Sequence, residues 1–190
     1  MKVLVGCEES GTLSGAFRDA GHDAMSCDLL PTRGDPNHHI VGDIAHVLRQ
    51  GTWDLIVLHP PCTALACSGN RWYGKGRPRH TERVAALAWT RALWTVATTR
   101  AARVAMENPV GVLFPAIMAQ VCWVQPWEHG HGETKRTGFA LHSLPALVPS
   151  NIVDGRRARV HKMGEQRHRA RLRSETYPGI ARAIVEQWGT

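Results

Sequence analysis

KVLVGCEESG at residues 2–11 and WDLIVLHPPC at residues 53–62 are the two stretches that decide the fold. Each begins as a short apolar run and ends in a glycine- or proline-bearing turn, which is how a strand covered on both faces reads, because neither face is left to water. Residues 12–20 follow the first run with apolar side chains at helical spacing and a stop at Gly21, so the opening reads as strand, turn and helix. Residues 22–27 end in Asp28, a short unit begins at Val41-Gly-Asp-Ile44, and residues 103–109 (RVAMENP) read as strand five. Strands alternating with helical pieces predict an α/β fold with a central, mostly parallel sheet and helices on both faces.

Between and beyond these units the signals are looser. Residues 67–80 (CSGNRWYGKGRPRH) are glycine-rich, basic and broken by proline, which predicts a long mobile loop directly after Cys62. Residues 81–99 predict a helix with Thr81 as its cap and Glu82 in its first turn. Residues 122–125 are a sixth-strand candidate. An irregular stretch with prolines at 126, 145 and 149 follows, then a basic segment over 156–173, and residues 178–188 predict a terminal helix started by Pro178.

A chain of 190 residues is expected to form one domain, so a single site must hold every ligand. A hydrophobic fraction of 43% without any apolar run near the ~20 residues of a membrane span predicts a globular, cytoplasmic protein. The start, MKVLVGCEESG, reads as a first strand rather than a signal peptide. The cysteines Cys7, Cys27, Cys62, Cys67 and Cys122 are odd in number and fit reduced thiols. A net charge of +7 favours a polyanionic partner, because Lys and Arg neutralising phosphate supply most sequence-independent affinity for nucleic acid. The cluster Arg156 to Lys162, continued by Arg167, Arg169, Arg171 and Arg173, fits a phosphate backbone better than a merely solvated face. In the 67–80 loop, Trp72 and Tyr73 fit either stacking on a base or anchoring the loop. Neither His38-His39 nor His129-Gly-His131 carries a metal-ligand frame, so no metal is expected.

Three constellations carry chemistry. Gly6, the turn CEESG and Asp28 some ~20 residues on form a nucleoside-type arrangement, in which glycines let backbone approach a ligand and an acid accepts ribose hydroxyls. The glycines do not follow G-x-G-x-x-G and no Walker lysine is present, which disfavours a phosphate cradle; alone, the stretch also fits an ordinary βαβ turn. Cys62 follows two prolines at a strand tip, a rigid edge facing the crevice where α/β sheets bind ligands, with His59 or the Arg71–Arg79 loop available to favour its thiolate. Alone, it also fits a buried structural cysteine. Glu107, in Met106-Glu-Asn-Pro109, puts a carboxyl at the same edge, where it can pair with a ring nitrogen and an exocyclic amine.

Taken together, VGCEESGTLSGAFRDAGHDAMSCDL (5–29), GDI (42–44), HPPC (59–62) and ENP (107–109) resemble the cytosine-5 DNA methyltransferases, and more closely their small phage-type relatives. GHGETKRTGF (130–139), LPALVPSNIV (144–153) and SETYPGIARAIVEQWG (174–189) are similar to the relatives' C-terminal motifs. The resemblance implies a Rossmann-like methyltransferase domain using S-adenosyl-L-methionine, lined by Gly6, Glu8, Gly11, Asp28, Asp43 and Pro60, with Asp28 at the ribose and Asp43 near the adenine amine. It implies that Cys62 adds to C6 of the pyrimidine while Glu107 engages N3 and N4. Pro61, Asn108, Lys135 and Arg136 fall on the substrate side, the last two standing in for a Gln-x-Arg-x-Arg motif that GETKRTGF lacks. The basic segment, about 151–176, is expected on or beside the domain. No room remains for a large target-recognition insert, so sequence specificity is expected to be low. DNA is the expected partner; a free pyrimidine nucleotide, RNA, or a non-catalytic binding role are the alternatives.

Overall fold

The computed structural model describes residues 1–159, 163–164 and 173–190. Seven strands form one sheet: β1 (Lys2–Gly6), β2 (Asp23–Asp28), β3 (His39–Val41), β4 (Trp53–Leu58), β5 (Ala101–Pro109), β6 (Gln120–Val124) and β7 (Thr137–His142), in the order β3-β2-β1-β4-β5-β7-β6. The first five run parallel, and β7 runs antiparallel between β5 and β6. This is a Rossmann-like α/β sheet.

Period-two alternation divides each apolar run between two layers, which is why the strands read as continuously hydrophobic. Val3, Val5, Leu55, Val57, Ala105 and Phe139 face one side. There they meet Leu13 and Phe17 of α1 (Thr12–Asp19) and Ile184 and Trp188 of α6 (Pro178–Trp188). Trp188 is fully buried edge-on to Phe139, and its indole N–H donates to the Pro145 carbonyl at 3.0 Å. Leu4, Ile56, Leu58, Val104, Met106 and Ala140 face the other side, under α2 (Ile44–Gln50), α4 (His80–Ala97) and α5 (Leu113–Ile117).

The chain runs outward from β1 through β2 to β3 and returns to β4 on the far side of β1, so the crevice opens between the carboxyl ends of β1 and β4. The two ends are tied there: the His59 amide donates to the Gly6 carbonyl at 2.9 Å.

Three sequence expectations change. Residues 67–80 are not an unstructured loop: a turn at Cys67–Gly69 leads into the short helix α3 (Asn70–Tyr73), and the Tyr73 ring is buried under the Arg79 guanidinium. Thr81 does not cap α4, which starts one residue earlier, and Arg79 pairs with Glu82 through both guanidinium nitrogens at 2.6 and 2.7 Å instead. The stretch after β6 is not wholly irregular, since it contains β7, whose place is set by partners distant in sequence. Among the described residues no helix is long and apolar enough to cross a membrane.

Candidate active site

Because β7 is antiparallel to β5, its first residue, Thr137, lies opposite the last residue of β5, Pro109, and Glu107 lies opposite Phe139. The residues that precede β7 therefore emerge at the carboxyl edge of the sheet, beside Glu107. A parallel strand would have brought its other end there. Lys135 and Glu107 line the same narrow crevice, which Ser174–Tyr177 cover and whose cavity is about 10 Å³. That is no more than the space of one water, so a ring reaches Glu107 from the side of Cys62 or after residues 174–177 have moved. Lys135 Nζ donates to the Glu175 carbonyl at 3.0 Å, and Arg33 holds the Glu175 carboxylate at 2.7 Å.

The loop bearing Cys62 is held from three directions. The Cys62 carbonyl accepts the amides of Leu65 and Ala66 at 3.0 and 2.8 Å, closing a turn. Leu65 and Ala66 are laced to the segment after β5 by Val112 N–H to Leu65 O, by Cys67 N–H to Val110 O and by an Ala66–Gly111 bridge. Gly111 is required at that crossing, since a Cβ would overlap the Leu65 carbonyl. From α4, the buried Arg83 donates to the carbonyls of Ala64 (2.6 Å) and Ala66 (3.2 Å) and to Asn70 Oδ1 (2.8 Å).

Burial first, and the Glu107 carboxylate second, push the Cys62 thiol above its ordinary range, while Lys135, a backbone hydrogen bond and Arg173 pull it down. Three charged groups, from β5, the lead-in to β7 and the end of the basic segment, are thus felt at one sulfur. The cations that favour the thiolate are Lys135 and Arg173, not His59 or the Arg71–Arg79 loop. His59 turns toward Glu107 instead, with Nδ1 3.7 Å from Oε2. Arg173 is a contributor the sequence reading placed only in a general basic tract. Arg167, Arg169, Arg171 and Lys162 lie outside the described residues. Arg156 lies over the Trp127 ring, and Arg159 pairs with the buried Glu133 at 2.7 Å, so both pack beside the sheet domain.

Two proposed substrate residues point elsewhere. Asn108 alternates to the opposite face of β5 from Glu107, is fully buried, and donates Nδ2 to the Pro60 carbonyl at 3.1 Å, so it buttresses the cysteine loop. The Arg136 guanidinium lies 4.5 Å over the Trp123 ring and is not among the groups at Cys62. Pro60 is buried behind the loop and Pro61 is exposed at its tip.

A second cluster gathers at the ends of β1, β2 and β3. Cys7, at the left-handed φ of 58°, has its thiol pushed up to about 12 by burial, then by Asp28, Cys27 and Asp43; Cys27 rises to about 11 for like reasons. Asp28 and Asp43 thus face one space. One oxygen of each is engaged locally, Asp28 by the Leu30 amide at 3.0 Å and Asp43 by the Ala45 amide at 2.8 Å as cap of α2. The other oxygen of each has no partner among the described residues. Leu29 and Leu30, next to Asp28, are 74% and 59% exposed, an apolar surface beside the two acids for which the sequence analysis gave no role.

The remaining cofactor candidates act through shape. Both Glu8 oxygens are spent on α1, accepting Leu13 N–H at 2.6 Å and Ser14 N–H at 3.2 Å, so Glu8 fixes the turn rather than offering a free carboxylate. Gly11 takes φ 70°, and a Cβ there would come within 3.0 Å of the Gly34 Cα. At Gly6 the limit is packing, because a Cβ would sit 2.6 Å from Leu58 Cδ2 and 2.7 Å from Ile44 Cδ1. Gly6→Ala is therefore expected to lower stability by about 1–3 kcal/mol, read as an earlier urea midpoint.

The raised thiols also set an alkaline limit. The folded state keeps protons on Cys7 and Cys27 that an unfolded thiol, with a pKa of 9.0, gives up. Their contribution is whole below pH 9 and is lost as pH rises toward about 11 and about 12, at a limiting slope of about 1.4 kcal/mol per pH unit for each thiol. Urea midpoints should fall between pH 8.5 and 10.5, and the fall should flatten in Cys7→Ala.

His129 and His131 serve the scaffold: His129 Nδ1 lies 3.0 Å from Ser150 Oγ, and His131 Nε2 accepts the Gly179 amide at the start of α6.

No family model and no curated protein matches the chain. Among solved structures it is similar to a protein described as a candidate DNA modification methyltransferase encoded within an E. coli prophage, at 14% identity and a TM-score of 0.46. The match covers 80% of this chain and 51% of that one, so the chain spans about half the length of that structure.

Proposed function

We propose that this protein is an S-adenosylmethionine-dependent methyltransferase that modifies C5 of cytosine in DNA through a covalent adduct at Cys62. The observation that carries the reading is that the Cys62 thiol lies within electrostatic reach of Glu107, Lys135 and Arg173 at the carboxyl edge of the sheet, where Glu107 and Lys135 line one crevice. A nucleophilic thiol beside a carboxyl is the pair needed to add to C6 while N3 takes a proton, and the two cations suit the thiolate and a nucleotide phosphate. Methyl transfer to an exocyclic amine is disfavoured, because the position after the two prolines is Cys62 and not an aromatic ring.

The neighbouring cluster fits the cofactor. Open oxygens on Asp28 and Asp43 suit ribose hydroxyls and an adenine amine, and Leu29 and Leu30 offer an apolar face for a purine. When bound, S-adenosylmethionine supplies an electrophilic methyl group on a sulfonium. The residues of the chain do the rest: Cys62 raises the electron density at C5 by adding to C6, Glu107 holds N3 and N4, and Lys135 supports the base or its phosphate.

DNA is favoured over a free nucleotide by the charge of +7 and by the α3 region, where Arg71 lies over a half-exposed Trp72 beside Lys75 and Arg77. The test offers labelled cofactor with duplex DNA, single-stranded DNA, RNA or dCMP. Label is expected in DNA. Label in dCMP or RNA alone overturns the substrate, and no label in any of them overturns the enzyme.

A further inference from the structure

His59 has no role in the reading above, yet its side chain is only 10% exposed and its Nδ1 lies 3.7 Å from Oε2 of Glu107, itself 18% exposed. That distance is too long for a hydrogen bond but within reach of an ion pair, and catalytic contacts of this kind tighten when substrate binds. Its other ring nitrogen, Nε2, is buried without a partner among the described residues, a costly state unless a ligand or water completes it. Asn108 holds the loop just beyond His59 through the Pro60 carbonyl, and the His59 amide is tied to Gly6, so the ring sits on a fixed backbone.

The proposed chemistry sets two demands that conflict. Cys62 must lose a proton, yet a bare Glu107 carboxylate opposes a second negative charge beside it, and Glu107 must hold a proton to offer N3. Resting on the function proposed above, we propose that His59 and Glu107 share one proton, so that the pair presents no net charge to Cys62 and serves as the acid for N3. His59 is a positioning and relay residue, acting through Glu107. Among the described residues, Lys135 and Glu175 line the crevice with Glu107, and the Cys62 thiol beside the pair also feels Lys135 and Arg173.

The proton count closes. The thiol proton leaves to water. As the sulfur–C6 bond forms, the electrons of the ring shift to N3, which takes the proton of the pair. C5 then takes the methyl group, with the electrons of the broken methyl–sulfonium bond left on the donor sulfur as a thioether, and releases its hydrogen to water. The C5–C6 double bond reforms, the sulfur–C6 bond breaks to return the Cys62 thiolate, and N3 returns its proton to the pair.

The test needs no substrate. Alkylation of Cys62 by iodoacetamide at pH 7.5 is followed by peptide mass spectrometry, which separates it from the exposed Cys67. In His59→Asn the uncompensated carboxylate is expected to slow alkylation ~10-fold, equivalent to about one pKa unit, and adding Glu107→Gln is expected to restore it to within ~3-fold of wild type. His59→Gln, which keeps the side-chain length, should behave as His59→Asn does. Restoration by a second substitution is an outcome that structural damage at His59 does not produce. A double variant as slow as His59→Asn, or a His59→Asn variant as fast as wild type, overturns the shared proton. Wild-type protein that labels no substrate overturns the methyltransferase reading instead, so the two failures are told apart.

Discussion

Cys62→Ala should transfer methyl groups to DNA at least ~10⁴-fold more slowly than wild type, because the removed sulfur supplies the bond that makes C5 nucleophilic. Cytosine is electron-poor at C6 and unreactive at C5 until something adds. None of the neighbouring groups replaces the thiol, since Cys67, five residues on, is exposed on a turn beyond the loop. Stability should change little, since Cys62 is only part-buried and its backbone carbonyl, not its sulfur, closes the turn to Leu65 and Ala66. The measurement is label transfer, with DNA containing 5-fluorocytosine as a second readout. Wild type should form a denaturant-resistant adduct and the alanine variant none. Equal label transfer by the two proteins would mean that the sulfur is not the nucleophile.

The second large effect is expected at a residue outside the crevice. Arg83→Met should cost about 2–4 kcal/mol of stability and lower kcat ~100-fold while leaving KM nearly unchanged. Arg83 is a charged group at 7% exposure whose partners are the Ala64 and Ala66 carbonyls and Asn70 Oδ1. Charge-assisted hydrogen bonds contribute about 1.5–3 kcal/mol each, offset in part by the cost of burying the guanidinium, which is why the net figure lies below their sum. The same carbonyls frame the turn that aims Cys62, and a displacement of ~1 Å at a reacting atom costs about two orders of magnitude in rate. Arg83→Lys should recover part of the stability and little of the rate, because an ammonium cannot span three acceptors as the planar guanidinium does. Urea unfolding and single-turnover kinetics separate the two effects. A less stable Arg83→Met with an undiminished kcat would confine Arg83 to the scaffold.

Much of the fold was legible because it is encoded locally. β1 and β4 follow from unbroken apolar runs, and α1 and α6 from helical apolar spacing with the stop at Gly21 and Pro178 at the first turn of its helix, signals carried within ~10 residues. Missing from that reading was β7. TGFALH begins with a small polar pair after two cations, and it becomes a strand because β5 and β6 supply partners on both sides. The 67–80 stretch reads as a loop from its Gly and Pro content, yet Tyr73 finds a buried place under Arg79 that orders it.

At the site, the residue types and their spacing were set by the sequence alone: a cysteine after two prolines, a carboxyl in Glu-Asn-Pro, and acids at strand tips. Which of two adjacent cations, Lys135 or Arg136, lines the crevice beside Glu107 was decided only in three dimensions, because neighbours in an extended chain point to opposite sides and the pairing of β7 on β5 chooses between them. The same holds for His59, Asn108 and Arg83. Their tasks depend on contacts across 13 to 48 residues of chain, and no local pattern carries information about a partner that far away.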